Sequence, residues 1–160
     1  MEFKPIGIIH SPFKTAQGTP IQAGLAKESQ GIVEIFPEYA DGLKDIEGFD
    51  RIWLLFWIDK AAPAKLLVKP YLDTVQRGVF ATRAPSRPNP IGLSCVKLLR
   101  RDGCHLYIAE LDILDQTPLL DIKPYITKAD VFKVKHCGWL DKVWDENTKA
   151  DNRFYEDKEK

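Results

Sequence analysis

The sequence lacks the features that mark several large classes of protein. Its 23 basic residues balance its 23 acidic residues, which excludes a uniformly basic nucleic-acid coat. The longest strongly apolar run, Ile52 to Ile58, is too short to cross a membrane, and the first residues contain no secretion signal. The three cysteines, Cys95, Cys104 and Cys137, form no C-x-x-C pair. We therefore expect a cytoplasmic protein with reduced thiols.

The common catalytic and metal-binding motifs are missing as well. There is no G-x-S-x-G, Walker A or G-x-G-x-x-G motif, which excludes the usual hydrolase, P-loop and Rossmann interpretations. None of the three histidines has a partner at ligand spacing, so we predict no metal site. Cys95 lies at an alternating strand position, which favours core packing over a nucleophilic role.

What is present is a chain of short strands, long enough for one domain. Alternating apolar and β-branched residues predict five strands: Phe3–Ser11, Gly31–Phe36, Arg51–Asp59, Gly92–Arg100 and His105–Asp112. The third strand is apolar on both faces, which predicts a central strand covered on both sides. Asp102-Gly103 predicts a hairpin turn. The fold class is therefore mainly all-β, a small antiparallel β-barrel or, alternatively, a sandwich.

Helical signals are weak. Short helical pieces are predicted within Pro37–Leu43 and Pro63–Leu72, and the last fifteen residues are highly charged. We predict a barrel domain over residues 1–140 and a solvated or frayed charged C-terminal tail over residues 141–160.

The charge is unevenly distributed along the chain. Between Thr74 and Arg101 there are six basic residues and no acid, whereas Glu28 to Asp50 holds seven acids and one lysine. The basic stretch contains the proline-rich segment 83–92, with Arg83, Arg87 and Asn89. Prolines stiffen such a loop, and guanidinium groups suit phosphates and carboxylates. The alternative is a rigid crossover whose arginines pair with the acids of Glu28–Asp50.

A second polar cluster spans Asp112 to Tyr125 and contains three carboxylates, a lysine and a phenol. We expect a turn where Thr117 and Pro118 interrupt the strand. Carboxylates at such a position can bind hydroxyl groups or act as a base. The alternative is an Asp-led turn followed by an edge strand, on which Asp121 and Lys123 pair.

Four stretches carry a family resemblance. Residues 6–14 read IGIIHSPFK, residues 47–54 EGFDRIWL, residues 78–92 GVFATRAPSRPNPIG and residues 115–125 DQTPLLDIKPY. They resemble the TsaA-like family, the TrmO type of tRNA N6-adenosine methyltransferase. The resemblance runs from the first strand to about Tyr125, roughly four-fifths of the chain.

The resemblance implies an S-adenosylmethionine-dependent methyltransferase on a small antiparallel barrel. It implies a homodimer with cofactor sites near the subunit boundary, and methylation at N6 of threonylcarbamoyladenosine beside the anticodon of tRNA. Two alternatives stay open: a methyltransferase of the same fold acting on another nucleoside or a small molecule, and a non-catalytic barrel that binds S-adenosylmethionine or RNA.

The resemblance also assigns residues. The cofactor contacts carried over are Gln22, Asp59, Lys60, Arg83, Leu93, Leu111 and Asp112. The candidates for catalysis or base recognition are Asp115, Asp121 and Tyr125. Contacts to substrate or RNA are assigned to Arg87, Asn89 and Lys123.

The chain departs from the family pattern in several places. Asp59 replaces a histidine, Gln116 replaces a glycine, Ile21 replaces an arginine and Ala23 replaces a proline. Because glycine tolerates positive φ, we expect the turn at Gln116 to be strained or of another type. The region after Tyr125 is short, and longer relatives carry an extra C-terminal domain, so we expect a short form of the family.

Overall fold

A computed structural model describes residues 2–156 and contains a closed antiparallel barrel. The strands are β1 (Gly7–His10), β2 (Gln30–Ile35), β3 (Arg51–Trp57), β4 (Leu67–Val68), β5 (Arg77–Gly78), β6 (Ile91–Asp102), β7 (His105–Ala109) and β8 (Thr117–Pro124). Six of them close the barrel in the order β1-β2-β7-β6-β3-β8, and β8 pairs back with β1. The predicted fold class is confirmed.

Each of the five predicted strands is present, and the sixth barrel strand, β8, corresponds to the strand that was predicted only as an alternative. β6 and β7 form the predicted hairpin, with Gly103 at φ 58°. The expectation that Thr117 and Pro118 form a turn that interrupts the strand is wrong, because the turn lies at Asp115 and Gln116 and β8 begins at Thr117. The alternative, an Asp-led turn followed by a strand, is confirmed, but β8 is not an edge strand because it pairs with both β1 and β3. Its prolines, Pro118 and Pro124, lie close to its two ends, where a missing N–H removes little of the ladder.

Helices are few and short. The predicted helical piece at Pro37–Leu43 is a 3-10 helix that begins with proline. The one predicted at Pro63–Leu72 is absent, and β4 pairs with β5 there instead. Pro70 disfavours helical geometry at the residue before it, which explains the difference. The sole α-helix of residues 2–156 is α1 (Thr127–Asp130), and no helix among them is long and apolar enough to span a bilayer.

The core fills the inside of the barrel. On β3, Ile52, Leu54 and Phe56 point inward and are buried, while Trp53 is only partly buried and Trp57 is exposed. The prediction of a strand covered on both faces is therefore wrong. In a small closed barrel only the side chains on the inner face of a strand pack into the core. The outer face of β3 therefore has no second layer over it.

Gly92 lies directly against the ring of Phe56. A Cβ built on Gly92 would lie 2.1 Å from the ring of Phe56, which is closer than atoms can approach. A glycine at position 92 therefore lets the first residues of β6 pack next to the Phe56 ring, which points inward from β3.

The charged C-terminal segment is not wholly solvated. Ala150 and Phe154 are buried, and Phe154 packs with Val68, Val79 and Ala84 in a second small core. The prediction of a solvated or frayed tail is wrong as far as residue 156, because apolar side chains between the charges anchor the segment. Residues 157–160 lie outside the described part of the chain, and the domain boundary at residue 140 stays a prediction. We call residues 59–90 together with residues 138–156 the cap.

Candidate active site

A cavity of about 260 Å³ lies between one end of the barrel and the cap. Six of the seven predicted cofactor residues line it: Gln22, Asp59, Lys60, Arg83, Leu93 and Asp112. They come from five separate stretches of the chain, which the barrel closure brings to one end. Leu111 is the exception, since its side chain is fully buried in the core and Ser29 Oγ bonds its backbone N–H and carbonyl.

Asp112 is the polar group at the floor of the cavity. The chain leaves β7 at Ala109 and runs without regular structure to β8, which places residue 112 beside the inward face of β6. Ser94 lies on that face and donates its Oγ–H to the Asp112 carboxylate at 2.6 Å. Burial raises the pKa of Asp112 to about 6, against the opposing effects of Ser94, the Ala23 N–H and the charge of Arg83.

Arg83 and Arg87 anchor the proline-rich loop in different ways. Arg83 donates to the Gln22 side-chain oxygen and so joins the loop after β1 to the cap. Arg87 donates to the carbonyls of Thr82 at 3.1 Å and Ala84 at 3.2 Å, which holds the loop in its own shape. The alternative in which these two arginines pair with the acids of residues 28–50 is therefore wrong. Asn89 is exposed at the tip of the same loop and does not line the cavity.

Asp115 holds the β1 end of the barrel together rather than facing the cavity. Its carboxylate accepts from the Ser11 N–H at 2.9 Å and from Lys14 Nζ at 2.5 Å. Burial works to raise the pKa of Asp115, but the bonds from Lys14 and Ser11 outweigh it and leave the pKa below its ordinary value. Lys60 Nζ donates to the Asp115 carbonyl at 3.1 Å, which ties this turn to the cavity wall.

The turn at Gln116 keeps the geometry that glycine would favour. Gln116 has φ 64°, and its amide nitrogen lies 3.0 Å from His10 Nδ1. The expected strain is present, since a non-glycine residue occupies the left-handed region. The side-chain contact with β1 helps to hold it there.

Asp121, Lys123 and Tyr125 are brought together at the far end of β8, away from the cavity. Asp121 pairs with Lys123 at 2.9 Å and lines a different cleft. Tyr125 packs against Trp53 with ring centroids 5.9 Å apart. The predicted pairing of Asp121 with Lys123 is confirmed, although β8 is not an edge strand. The structure brings neither Asp121 nor Tyr125 to the cavity of the same chain.

Sequence reasoning missed several residues of the cavity, of which Ser94 and Tyr155 are two polar examples. Ser94 is a polar residue at an inward position of β6, between Gly92 and Val96, and that position was a usable signal. Tyr155 comes from the segment predicted to be a tail, and nothing in the local sequence indicated it. Burial raises the pKa of Tyr155 to about 12, so the phenol stays protonated near neutral pH.

A second depression adjoins the cavity. We call this second depression the aromatic groove. It has a volume of about 430 Å³, and its aromatic walls are Tyr71, Phe80, Trp139, Trp144 and Phe154. The groove and the cavity share five residues in their linings: Ile21, Gln22, Tyr71, Thr82 and Arg83. Neither depression contains a metal centre: within residues 2–156, no three His, Cys, Asp or Glu side chains cluster closely enough to hold a metal ion.

Comparison with known proteins identifies the family. Residues 8–131 match the model of the tRNA-methyltransferase O N-terminal domain. The chain belongs to this family. A probable S-adenosyl-L-methionine-binding protein of Pyrococcus abyssi is 53% identical over 96% of this chain and 84% of its own length. The tRNA (adenine(37)-N6)-methyltransferase of Escherichia coli is 36% identical over 81% of this chain and 59% of its own.

Solved structures of the TrmO family share the architecture. The crystal structure of TrmO from Pseudomonas aeruginosa superposes with a TM-score of 0.73 at 35% identity and covers 87% of this chain. This chain spans 62% of that protein. The likeness therefore covers the barrel that carries the cavity, and a large part of the TrmO chain has no counterpart here.

Proposed function

We propose that this chain is a cytoplasmic S-adenosylmethionine-dependent methyltransferase that methylates N6 of threonylcarbamoyladenosine beside the anticodon of tRNA. The observation that carries the proposal is the cavity between barrel and cap, which gathers Gln22, Arg83 and Asp112 from distant parts of the chain. The names of relatives support the same chemistry, since they include S-adenosylmethionine-binding proteins and tRNA adenine-N6 methyltransferases.

The residues of the cavity fit the cofactor. S-adenosylmethionine has hydroxyl and ammonium donors, a carboxylate and an apolar adenine face. The Asp112 carboxylate suits the donors, and the Arg83 guanidinium suits the carboxylate. Apolar side chains, Ile58, Leu93 and Ile113, line the walls that an adenine ring would contact.

When bound, S-adenosylmethionine would supply an electrophilic methyl group to an acceptor nitrogen, and the electron pair of the broken carbon–sulfur bond would stay on sulfur. The contribution of this chain is to position the two reactants, because an in-line displacement depends strongly on alignment. Ser94 fixes the Asp112 carboxylate, and Gln22 fixes Arg83, so both polar groups are oriented before anything binds.

The attacking N6 must also lose one proton. We assigned this role to Asp115, Asp121 or Tyr125, and the geometry of a single chain gives that assignment no support. Asp115 is held by Lys14 and Ser11, and the other two lie at the far end of β8. Asp112, in contrast to Asp115, Asp121 and Tyr125, lines the cavity.

Contact with tRNA rests on the proline-rich loop. Asn89 is exposed at its tip, and Arg83 and Arg87 bring positive charge to the rim of the cavity. A polyanion is attracted by such a localised basic stretch even when the protein is neutral overall. Lys123 is already paired with Asp121 and lies at the opposite end of β8, which makes it the weakest of the three predicted RNA contacts.

A homodimer is part of the proposal. On the outer faces of β3 and β6, Trp57 pairs with Ile91 and Leu55 with Leu93, and Trp57, Ile91 and Leu93 expose 42–51% of their surface. Ile91 and Leu93 also line the cavity, so a second copy on this face would border the cofactor. We expect Trp57→Lys to convert a dimer to a monomer in light scattering, and a wild-type monomer would contradict the proposal.

Transfer of labelled methyl groups tests the acceptor. Purified protein is incubated with labelled S-adenosylmethionine and bulk tRNA from cells with or without the threonylcarbamoyl modification. We expect label in modified tRNA only. Equal labelling of both pools would mean that the acceptor is unmodified adenosine rather than threonylcarbamoyladenosine. Binding of S-adenosylmethionine without any labelling would favour a small-molecule acceptor or a non-catalytic role.

A further inference from the structure

We propose that the aromatic groove is the acceptor site, in which a single unstacked adenine base of the RNA stacks on Trp144 and Phe80. The inference rests on the proposed function, because it names where the acceptor binds. It concerns the part of the chain that lies outside the barrel core. Phe80 lies in one of the motifs, but no role was assigned to it there, and Trp144 lies outside all four motifs.

Two of the aromatic rings are open to a ligand. Phe80 exposes 77% of its surface and Trp144 exposes 50%, and both line the groove. The two exposed rings line the same depression, and a contiguous exposed apolar patch marks a binding site where single exposed side chains do not. Base–aromatic stacking is the usual way in which proteins hold a splayed-out base.

The remaining rings serve as supports. Trp139 donates its Nε1–H to the Ala81 carbonyl at 2.8 Å, with the Arg77 guanidinium over its ring at 5.4 Å. Tyr71 packs edge-on against Phe154 at 5.1 Å. These contacts fix the floor of the groove, so a planar ligand would meet a preformed surface, which reduces the entropy lost on binding.

The position of the groove relative to the cavity points to the acceptor rather than to an unrelated ligand. The two depressions adjoin, because five residues line both of them: Ile21, Gln22, Tyr71, Thr82 and Arg83. These residues form a common wall. A methyl acceptor must lie against the donor for in-line attack, and a ligand in the groove would meet the cavity at that wall.

The charge of the groove favours a nucleotide. Arg83 is the sole charged side chain in its lining within the described residues, and no acidic side chain contributes. An aromatic surface beside one guanidinium matches a base together with its phosphate or a carboxylate substituent. At about 430 Å³ the groove falls within the size range of small-ligand sites, which accommodates one nucleoside but not a helix.

Steady-state kinetics with an anticodon stem-loop RNA tests the assignment. We expect Trp144→Ala and Phe80→Ala each to raise the KM for RNA by about tenfold, because one stacking contact is lost. Neither residue lines the cavity, so the affinity for S-adenosylmethionine should not change. Trp144→Phe should recover most of the RNA affinity, which a merely structural role for the indole would not predict. Phe132→Ala is the matched control, since Phe132 also exposes 77% of its surface but lies outside both depressions.

The outcomes separate the two proposals. If the wild type methylates RNA and both alanine variants keep its KM, the acceptor site lies elsewhere and the proposed function stands. If the variants lose affinity for S-adenosylmethionine in parallel with RNA, the groove belongs to the cofactor and the inference is overturned. If the wild type transfers no methyl group to any RNA, the proposed function itself fails.

Discussion

The barrel and the cap are built with very different amounts of core. The barrel buries fourteen apolar residues in one cluster to which all six strands contribute, whereas the buried cluster of the cap consists of Val68, Val79, Ala84 and Phe154. Burial of apolar surface is the main source of folding free energy. We therefore expect the barrel to provide most of the stability, and the cap to open at a lower cost in free energy than the barrel.

Both parts contribute to the same cavity. Ser94 and Leu93 belong to barrel strand β6, and Asp112 follows β7, whereas Lys60, Arg83 and Tyr155 belong to the cap. A ligand between the two would stabilise the closed arrangement, since it binds only when both walls are in place. Because the buried core of the barrel is much larger than that of the cap, we expect mutations in the barrel to affect chiefly stability and mutations in the cap to affect chiefly binding.

The largest effect is expected from a cavity in the barrel. Leu54 on β3 is fully buried, and Leu54→Ala removes atoms that its neighbours cannot replace. We expect the free energy of unfolding to fall by about 2–5 kcal/mol, measured by urea denaturation. A loss below about 1 kcal/mol would mean that the barrel core is not the main source of stability.

A cavity in the cap should act locally. The Phe154 carbonyl accepts from the Ala62 N–H at 2.8 Å, and its ring fills the small core of the cap. We expect Phe154→Ala to speed hydrogen exchange at the Ala62 amide by about a hundredfold, while exchange in β3 changes little. Equal acceleration in barrel and cap would contradict the division into two parts.

The next effect concerns the polar floor of the cavity. Because burial raises the pKa of Asp112 to about 6 from 3.8, the folded state binds its proton more tightly than the unfolded state. The contribution of this carboxyl to stability therefore falls as the pH rises from about 4 to about 6. We expect Asp112→Asn to leave stability at pH 7 unchanged or higher, as thermal unfolding would show.

The same substitution should weaken cofactor binding. A carboxylate that bonds a charged or hydroxyl donor is worth about 1.5–3 kcal/mol, so the dissociation constant should rise about tenfold or more. Wild-type affinity should also fall as the pH drops below about 6, where Asp112 is protonated. A variant that is less stable yet binds normally would make Asp112 a structural residue.

The smallest effect on stability is expected from loss of the ion pair between Lys14 and Asp115. Lys14 is largely exposed, and its ion pair with Asp115 at 2.5 Å is open to solvent on one side. We expect Lys14→Ala to cost less than about 1 kcal/mol of stability and to leave methyl transfer intact. A large loss of activity would return Asp115 to the catalytic candidates.

The strands could be predicted because their pattern is local. Alternation in β2, β6 and β7 marks which residues face the core, and the hairpin between β6 and β7 is signalled by Asp102 and Gly103. β8 was obscured because Pro118 and the carboxylates hide its alternation. Its pairing partners, β1 and β3, lie far away in sequence, and no local signal fixes such pairing.

The site could be predicted only in part. Six of the residues predicted to contact the cofactor lie in one cavity, and their convergence depends on the closure of the barrel. Their contact with the cofactor stays a prediction. The roles of Asp115 and Asp121 were harder to infer, because a carboxylate in a motif looks the same whether it binds a ligand or a neighbouring lysine. The structure shows that both carboxylates bind a neighbouring lysine: Asp115 pairs with Lys14, and Asp121 pairs with Lys123.

Calorimetric titration with S-adenosylmethionine tests the central claim, that the cavity between barrel and cap holds the cofactor. The proteins to compare are the wild type, Arg83→Ala, Asp112→Asn and, as a control outside the cavity, Lys14→Ala. We predict saturable binding to the wild type and to the control, and binding weakened about tenfold or more in the other two. Equal binding by all four proteins, or no binding by the wild type, would contradict the account.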